Sequence, residues 1–228
     1  MTNIKKSLLD RVSVKIKRKF GKAEYGKCWP EKSPEWYKQI HDENWLIHND
    51  FKNYLKSKCD IKTVLEIGCG KGVYPILNKE LFKNMEYTGI DISPNAIEYC
   101  KKNSDFEFFA GDFIKLKLDK TFDLVFSHAV VDHVYNIDIF ISQIIDSSKK
   151  YAYINAYRGY FPKLKDHKIK WDGYEGCYFN DLSLIKLQEL FSEKGLNEKN
   201  YLIRSQESGQ KGQNVNIQTI IEINKDDS

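Results

Sequence analysis

In VLEIGCGKG, residues 64–72, the acid Glu66 stands two positions ahead of the first of three glycines, Gly68, Gly70 and Gly72. Glycine permits a tight turn and leaves no Cβ between a ligand and the main chain. Such a turn at the end of a strand cradles a nucleotide-like cofactor. The spacing is GxGxG, not the GxGxxG of dinucleotide sites, although NAD would still fit the motif alone. A carboxylate in front of the turn repels a pyrophosphate and welcomes an ammonium group. Asp91 ends the next apolar run, EYTGIDIS, where a carboxylate can take both hydroxyls of a ribose.

A second group of residues is suited to moving protons. SHAVVDHV, residues 127–134, places Ser127, His128, Asp132 and His133 within one short stretch. Histidine is the usual base near neutral pH. The other three histidines are His41 and His48, in a helical N-terminal stretch and read as surface or hinge residues, and His167. His167 lies in a ring-rich segment with Tyr157, Arg158, Tyr160 and Trp171, where it is either a base or a surface residue. Asp132 can orient a histidine, act as a base, or cap the helix that follows. Asp132, Asp138 and Asp146 form no ligand pattern, so no required metal is expected.

These residues sit at the ends of a repeating pattern. TVLEIG, EYTGIDIS, DFEFFAGD, FDLVFSHAV and YAYINAY are short apolar runs that read as strands. VYPILNKELFK, SPNAIEYCKKN and IDIFISQIIDSSKK lie between them with helical spacing. Strands alternating with helices predict an α/β fold with a mostly parallel sheet and helices on both faces. Residues 157–181 break the rhythm and are expected to form a small cap inserted after the fifth strand. A helix at SLIKLQELFSEKG, capped by Ser183 and stopped by Gly195, precedes two β-patterned stretches that read as an antiparallel hairpin. Upstream, Ser33-Pro34 starts a helix running to Lys58. The expected division is a basic N-terminal segment with a lid helix over 1–58, then a cofactor domain over 59–228.

Composition narrows the function. The chain has 228 residues, 41% hydrophobic and 30% charged, as in ordinary globular domains. Net charge is +4, but residues 1–27 hold nine Lys or Arg against two acids, about +7, leaving about −3 elsewhere. Leu8, Val12, Ile16 and Phe20 recur there every fourth position, so a basic helix with a narrow apolar stripe is expected. It could touch RNA or a membrane surface. There is no apolar run long enough to span a bilayer and no signal-peptide pattern. Five scattered cysteines without a CxxC pair fit reduced thiols in a cytoplasmic protein.

A ribose, a positive centre and no phosphate together describe S-adenosylmethionine (SAM). VLEIGCGKG, YTGIDIS, AGDF and FDLVFSHAVVDHV, in that order, resemble the class I SAM-dependent methyltransferases over about residues 55–155. The resemblance implies a Rossmann-like seven-stranded sheet whose last, antiparallel strand inserts between two parallel ones. It implies that Gly68, Cys69 and Gly70 contact the methionine part of SAM and that Glu66 orients its ammonium. Asp91 would bind the ribose, Ile92 pack on adenine, Asp112 bond the adenine amino group and Phe113 flank the ring. Ser127 and His128 would lie beneath the methionine moiety. His133, His128, Asp132 and His167 are the candidates for the acceptor's proton. Tyr157, Arg158, Tyr160 and Trp171 are the candidates for acceptor binding, with Arg158, Lys163 and Lys165 able to hold a phosphate. The signature of amino-group DNA or RNA methylation is replaced by SHAVV. The expected reaction is O-methylation of a small polar acceptor, such as a nucleotide-linked sugar or phosphorylated intermediate of surface polysaccharide. The alternative is a tRNA or protein substrate docked through the basic N-terminus. No DNA partner is expected, and oligomeric state is not legible.

Overall fold

The computed structural model describes residues 8–27, 29, 33–35, 46–207 and 217–226. Ahead of the sheet lie α1 (Leu8–Phe20) and α2 (Leu46–Lys56). Pro34 and Glu35 are helical, as the Ser33-Pro34 start predicts; residues 36–45, with His41, and the loop at 208–216 lie outside the described residues.

Seven strands form the main sheet: β1 (Thr63–Ile67), β2 (Glu86–Asp91), β3 (Glu107–Ala110), β4 (Phe122–His128), β5 (Ser148–Ala156), β9 (Tyr201–Glu207) and β10 (Ile217–Asn224). Their order is β3-β2-β1-β4-β5-β10-β9. The first five are mutually parallel, and β10 runs antiparallel to both β5 and β9. The closing strand therefore sits inside the sheet, with β9 at the edge, as the resemblance implies.

The apolar runs are continuous because both faces are covered. Leu65, Val125 and Ile154 join one core cluster, with α4 (Ile137–Ser147) and α5 (Leu184–Glu193). Val64, Leu124 and Phe126 join the other, beneath Phe51 of α2 and against α3 (Pro94–Asn103). Burying each such side chain contributes about 1.5–3 kcal/mol. The caps are local: Ser93, Asn136 and Ser183 each accept from a main-chain N–H of the first turn of α3, α4 and α5. Gly195, at φ +74°, ends α5 as its sequence predicts. Asn136, not Asp132, caps α4.

One expected helix is missing. VYPILNKELFK forms irregular turns and a single 3-10 turn at Lys79–Phe82. Gly72 has φ +85°, and Ile76 N and Leu77 N both bond Gly72 O, at 3.1 and 3.2 Å. Pro75 contributes no N–H, so no regular ladder passes through this stretch.

The inserted cap is a small sheet of its own: β6 (Tyr160–Phe161), β7 (Lys168–Asp172) and β8 (Cys177–Ser183), ordered β6-β8-β7. The N-terminal segment does not stand apart from it. After α1, the chain runs along the β7–β8 turn as a strap. Gly173 N bonds Arg18 O at 2.9 Å, Ala23 N bonds Gly173 O at 3.2 Å, and Gly26 N bonds Gly176 O at 2.8 Å. A Cβ on Gly21 or Gly173 would collide with the other's main chain, so glycine at both positions permits this seam.

Candidate active site

Register brings the ends of four strands to one edge. Ile67 pairs with Ile90 and Ser127, and His128 with Asn155, so Gly68, Asp91, His128 and Asn155 emerge side by side. Open sheets bind ligands beyond this carboxyl edge. A cavity of about 370 Å³ opens here.

The half over β1–β3 is built from main chain and carboxylates. Gly68 and Gly70 have φ of +79° and +53°, conformations that favour glycine. Asp91 fixes the turn: its Oδ2 accepts from Gly70 N at 2.9 Å and its Oδ1 from Ser93 N at 2.8 Å. Burial raises its pKa, and those two N–H groups oppose the rise. Each oxygen keeps a further lone pair for a ribose hydroxyl. Glu66 is buried at the cavity wall and accepts from the Tyr87 hydroxyl. Burial pushes its pKa to about 8, with the Asp91 charge adding to the rise and the Tyr87 bond opposing it. Asp112 accepts from Ile114 N and the Tyr135 hydroxyl, and lines the cavity with Phe113 and Ile92.

The half over β4 and β5 is built from rings. His133 lies in a 3-10 turn, Val131–His133. Its Nδ1 is 2.8 Å from Tyr178 O. A carbonyl only accepts, so Nδ1 carries the proton and Nε2 keeps its lone pair. Burial lowers the pKa of this ring to about 4. Tyr157 stacks on it at 5.4 Å, and Trp29 meets it edge-on at 4.9 Å. His128 lies on the other side of the cavity in a chain: His48 Nδ1 to the Tyr74 hydroxyl at 2.6 Å, and that hydroxyl to His128 Nε2 at 3.1 Å. Burial holds the His128 pKa well below its ordinary value. Ala129, the residue after His128, sits at φ +55°, strain of roughly 1–3 kcal/mol at the cavity wall.

Eleven of the seventeen expected site residues line the cavity: Glu66, Gly68, Cys69, Gly70, Asp91, Ile92, Asp112, Phe113, His128, His133 and Tyr157. Six do not. Ser127 points into the core, fully buried, with no partner for its hydroxyl among the described residues. Asp132 has both oxygens on main-chain N–H groups, of Tyr157 at 3.0 Å and Arg158 at 3.2 Å, which corrects its reading as a base. His167 lies away from the cavity with its side chain buried in the cap, its Nδ1 accepting from Ser183 N at 2.9 Å and its Nε2 3.3 Å from Asp138. Arg158 is paired with Asp181 at 2.7 Å. Tyr160 packs against the core, and Trp171 packs on Tyr178 at 4.9 Å.

The structure adds Tyr25, Trp29, His48, Tyr74, Asn155 and Gln218 to the wall. Nothing in the sequence tells that the strap carrying Tyr25 and Trp29 folds back over the sheet. His48 was read as a surface or hinge residue of its helix; its partner, Tyr74, lies in the stretch expected to be a helix.

SAM fits the donor set of the first half. A buried carboxylate faces the cavity where an ammonium would offset its burial, a second is held by main chain at the end of β2, and glycines open the turn between them. When bound, SAM supplies a methyl group on a sulfonium.

The comparisons agree. Residues 59–209 match the model of a methyltransferase domain family. A probable (S)-tetrahydroprotoberberine N-methyltransferase from Papaver bracteatum is 30% identical over 91 residues, 37% of this chain and 25% of that protein. A malonyl-[acyl-carrier protein] O-methyltransferase from Calditerrivibrio nitroreducens is 27% identical over 121 residues, 50% of this chain and 48% of that one. The chain thus spans a quarter to a half of the length of these relatives. Among solved structures, the magnesium protoporphyrin IX methyltransferase of Synechocystis with bound SAM shares the fold with a TM-score of 0.56, at 14% identity over 97% of this chain and 98% of that one. The N-methyltransferase NodS of Bradyrhizobium japonicum, with S-adenosylhomocysteine (SAH), gives 0.53 at 14% identity over 85% and 89%. With the family model matching well over half of its residues, the chain belongs to the class I SAM-dependent methyltransferases.

Proposed function

We propose that the chain methylates a hydroxyl of a small polar acceptor, with His133 Nε2 taking the proton. The observation that carries this reading is the tautomer of His133. The bond to Tyr178 O leaves the Nε2 lone pair on a residue of the cavity wall. At neutral pH the ring is uncharged and able to accept. It is a weak base, so alignment between Tyr157, Trp29 and the edge of β4 does more than basicity. Asn155 and Gln218, joined by a 2.8 Å bond, present amides that suit hydroxyl-rich acceptors. A sugar of surface-polysaccharide biosynthesis keeps this support. A phosphate inside the cavity does not, because Arg158 is paired with Asp181 and Lys163 and Lys165 are exposed on the cap. A cytoplasmic enzyme with no DNA partner is part of the same proposal; among the described residues no helix is long and apolar enough to cross a membrane.

The test is SAH release from SAM with neutral sugars, nucleotide sugars, small phenols, small amines, bulk tRNA and a protein lysate. Release with a sugar or phenol, lost about 100-fold in His133→Gln at unchanged SAH affinity, is expected. A second reading rests on α1, whose Lys15, Lys17 and Lys19 are exposed beside Ile16, itself 55% exposed. Release only with tRNA or protein, falling steeply with salt, would replace the first reading by that one.

A further inference from the structure

The turn that carries His133 is three residues long, too short to fix a ring through its own hydrogen bonds. It is held from outside, and among the described residues each hydrogen bond to it from another element comes from the cap or its entry. Asp132 accepts from Tyr157 N and Arg158 N, the first two residues beyond β5. From β8, Asn180 Nδ2 donates to Val131 O and to Val134 O, both at 2.8 Å. Those two carbonyls flank Asp132 and His133, so a single amide closes both ends of the turn. Two residues earlier on β8, Tyr178 O takes the His133 Nδ1 proton. Arg158 is tied to Asp181, next to Asn180, which locks the cap entry to β8.

Asp132 and Asn180 are fully buried, and neither lines the cavity. A buried carboxylate and a buried amide are costly unless bonded. Apolar residues would fill these places at lower cost, but they would leave four main-chain groups unpaired and the turn unaligned. We propose that Asp132 and Asn180 are positioning residues that bolt the His133 turn to the cap, so that the cap, rather than the sheet, sets where Nε2 points. The proposal rests on His133 as the proton acceptor. It makes Tyr157 part of the same device, since the N–H that Asp132 holds belongs to the residue whose ring stacks on His133.

The experiment uses the full chain labelled with 15N at histidine and saturated with SAH. In the wild type, His133 should show the Nδ1–H tautomer alone. In Asp132→Asn and in Asn180→Ala it should become a tautomer mixture, with SAH affinity kept within about twofold. Turnover on the best acceptor of the panel should fall by roughly tenfold or more. Combined with His133→Gln, either variant should cost nothing further, because the aimed ring is already gone. An unchanged His133 signal in both variants overturns the proposal, and so do losses that simply add to that of His133→Gln. Unfolding of both variants overturns it too, since the bonds would then support the fold rather than aim a ring. If the wild type releases no SAH with any acceptor, the proposed function fails, while the histidine spectrum still decides this inference.

Discussion

The two halves of the cavity are made in different ways. The half over β1–β3 is a property of the sheet: strands end there, Asp91 is tied to the glycine turn by main-chain N–H groups, and Glu66 takes the Tyr87 hydroxyl, all within about 25 residues of sequence. The half over β4 and β5 is a property of contacts between distant segments. Trp29 comes from the strap, His133 from the turn after β4, Tyr157 from the cap entry and Gln218 from β10. The first arrangement suits a ligand common to many enzymes. The second can change, by altering a loop, without disturbing the sheet. The difference teaches where variation is tolerated: the cofactor's carboxylates cannot move without the strands, whereas the rings can.

The sharpest way to break this contrast is at Asp91. Its carboxylate holds the glycine turn through Gly70 N and Ser93 N and keeps lone pairs for a ribose. Hydrogen bonds to a charged group are worth about 1.5–3 kcal/mol each, so Asp91→Ala should weaken SAH binding by roughly 100-fold or more. Calorimetric titration with SAH measures this. Unchanged affinity would mean that the first half does not hold the cofactor.

That half was also the legible one. Glu66, the glycines, Asp91 and Asp112 are local in sequence, and each was placed because strand ends and turn chemistry have short-range signals. The misses are long-range. Asp132 was left between orienting a histidine, acting as a base and capping a helix because the sequence does not show that the N–H groups of Tyr157 and Arg158 come to meet it. Arg158 was read as a phosphate holder because Asp181 is 23 residues away in sequence yet 2.7 Å away in space. The chain through His48, Tyr74 and His128 was hidden behind a helix that Gly72 and Pro75 prevent. The parallel sheet was legible because strands alternate with helices, whereas the inserted closing strand followed only from the family resemblance.

Glu66 sharpens the contrast by charge. Its pKa in the ligand-free fold is about 8, against about 4.5 unfolded, so the fold disfavours its ionised form. Stability of the free chain should therefore decline as pH rises from about 4.5 towards 8. An ammonium beside Glu66 and Asp91 reverses the preference and makes binding release a proton. SAH affinity should rise with pH by up to about tenfold per unit between about pH 5.5 and 7.5 and level off above 8. Glu66→Gln should flatten that slope. Equal slopes in the two proteins would place the ammonium elsewhere. His133, whose pKa burial lowers to about 4, adds nothing to the slope in this range.

The strap gives the smallest effect and the most selective one. Gly173 lies against Gly21, and a Cβ there would meet the Gly21 main chain rather than a side chain that could move aside. Gly173→Ala should therefore part the seam made by Gly173 N with Arg18 O and Ala23 N with Gly173 O. Tyr25 and Trp29 ride on that strap, Tyr25 at 5.3 Å from Tyr135 and Trp29 at 4.9 Å from His133. Two net hydrogen bonds amount to about 1–3 kcal/mol of seam, enough to loosen the strap without unfolding the sheet. The acceptor KM should rise by roughly three- to tenfold while SAH affinity changes by less than about twofold. The asymmetry is the point, because Asp91 and Glu66 are held by Gly70 N, Ser93 N and the Tyr87 hydroxyl, none of them part of the seam. If SAH affinity fell as much as acceptor binding, the strap would be closing over both halves, and the cavity would be one enclosure rather than a fixed cofactor cradle with an exchangeable wall.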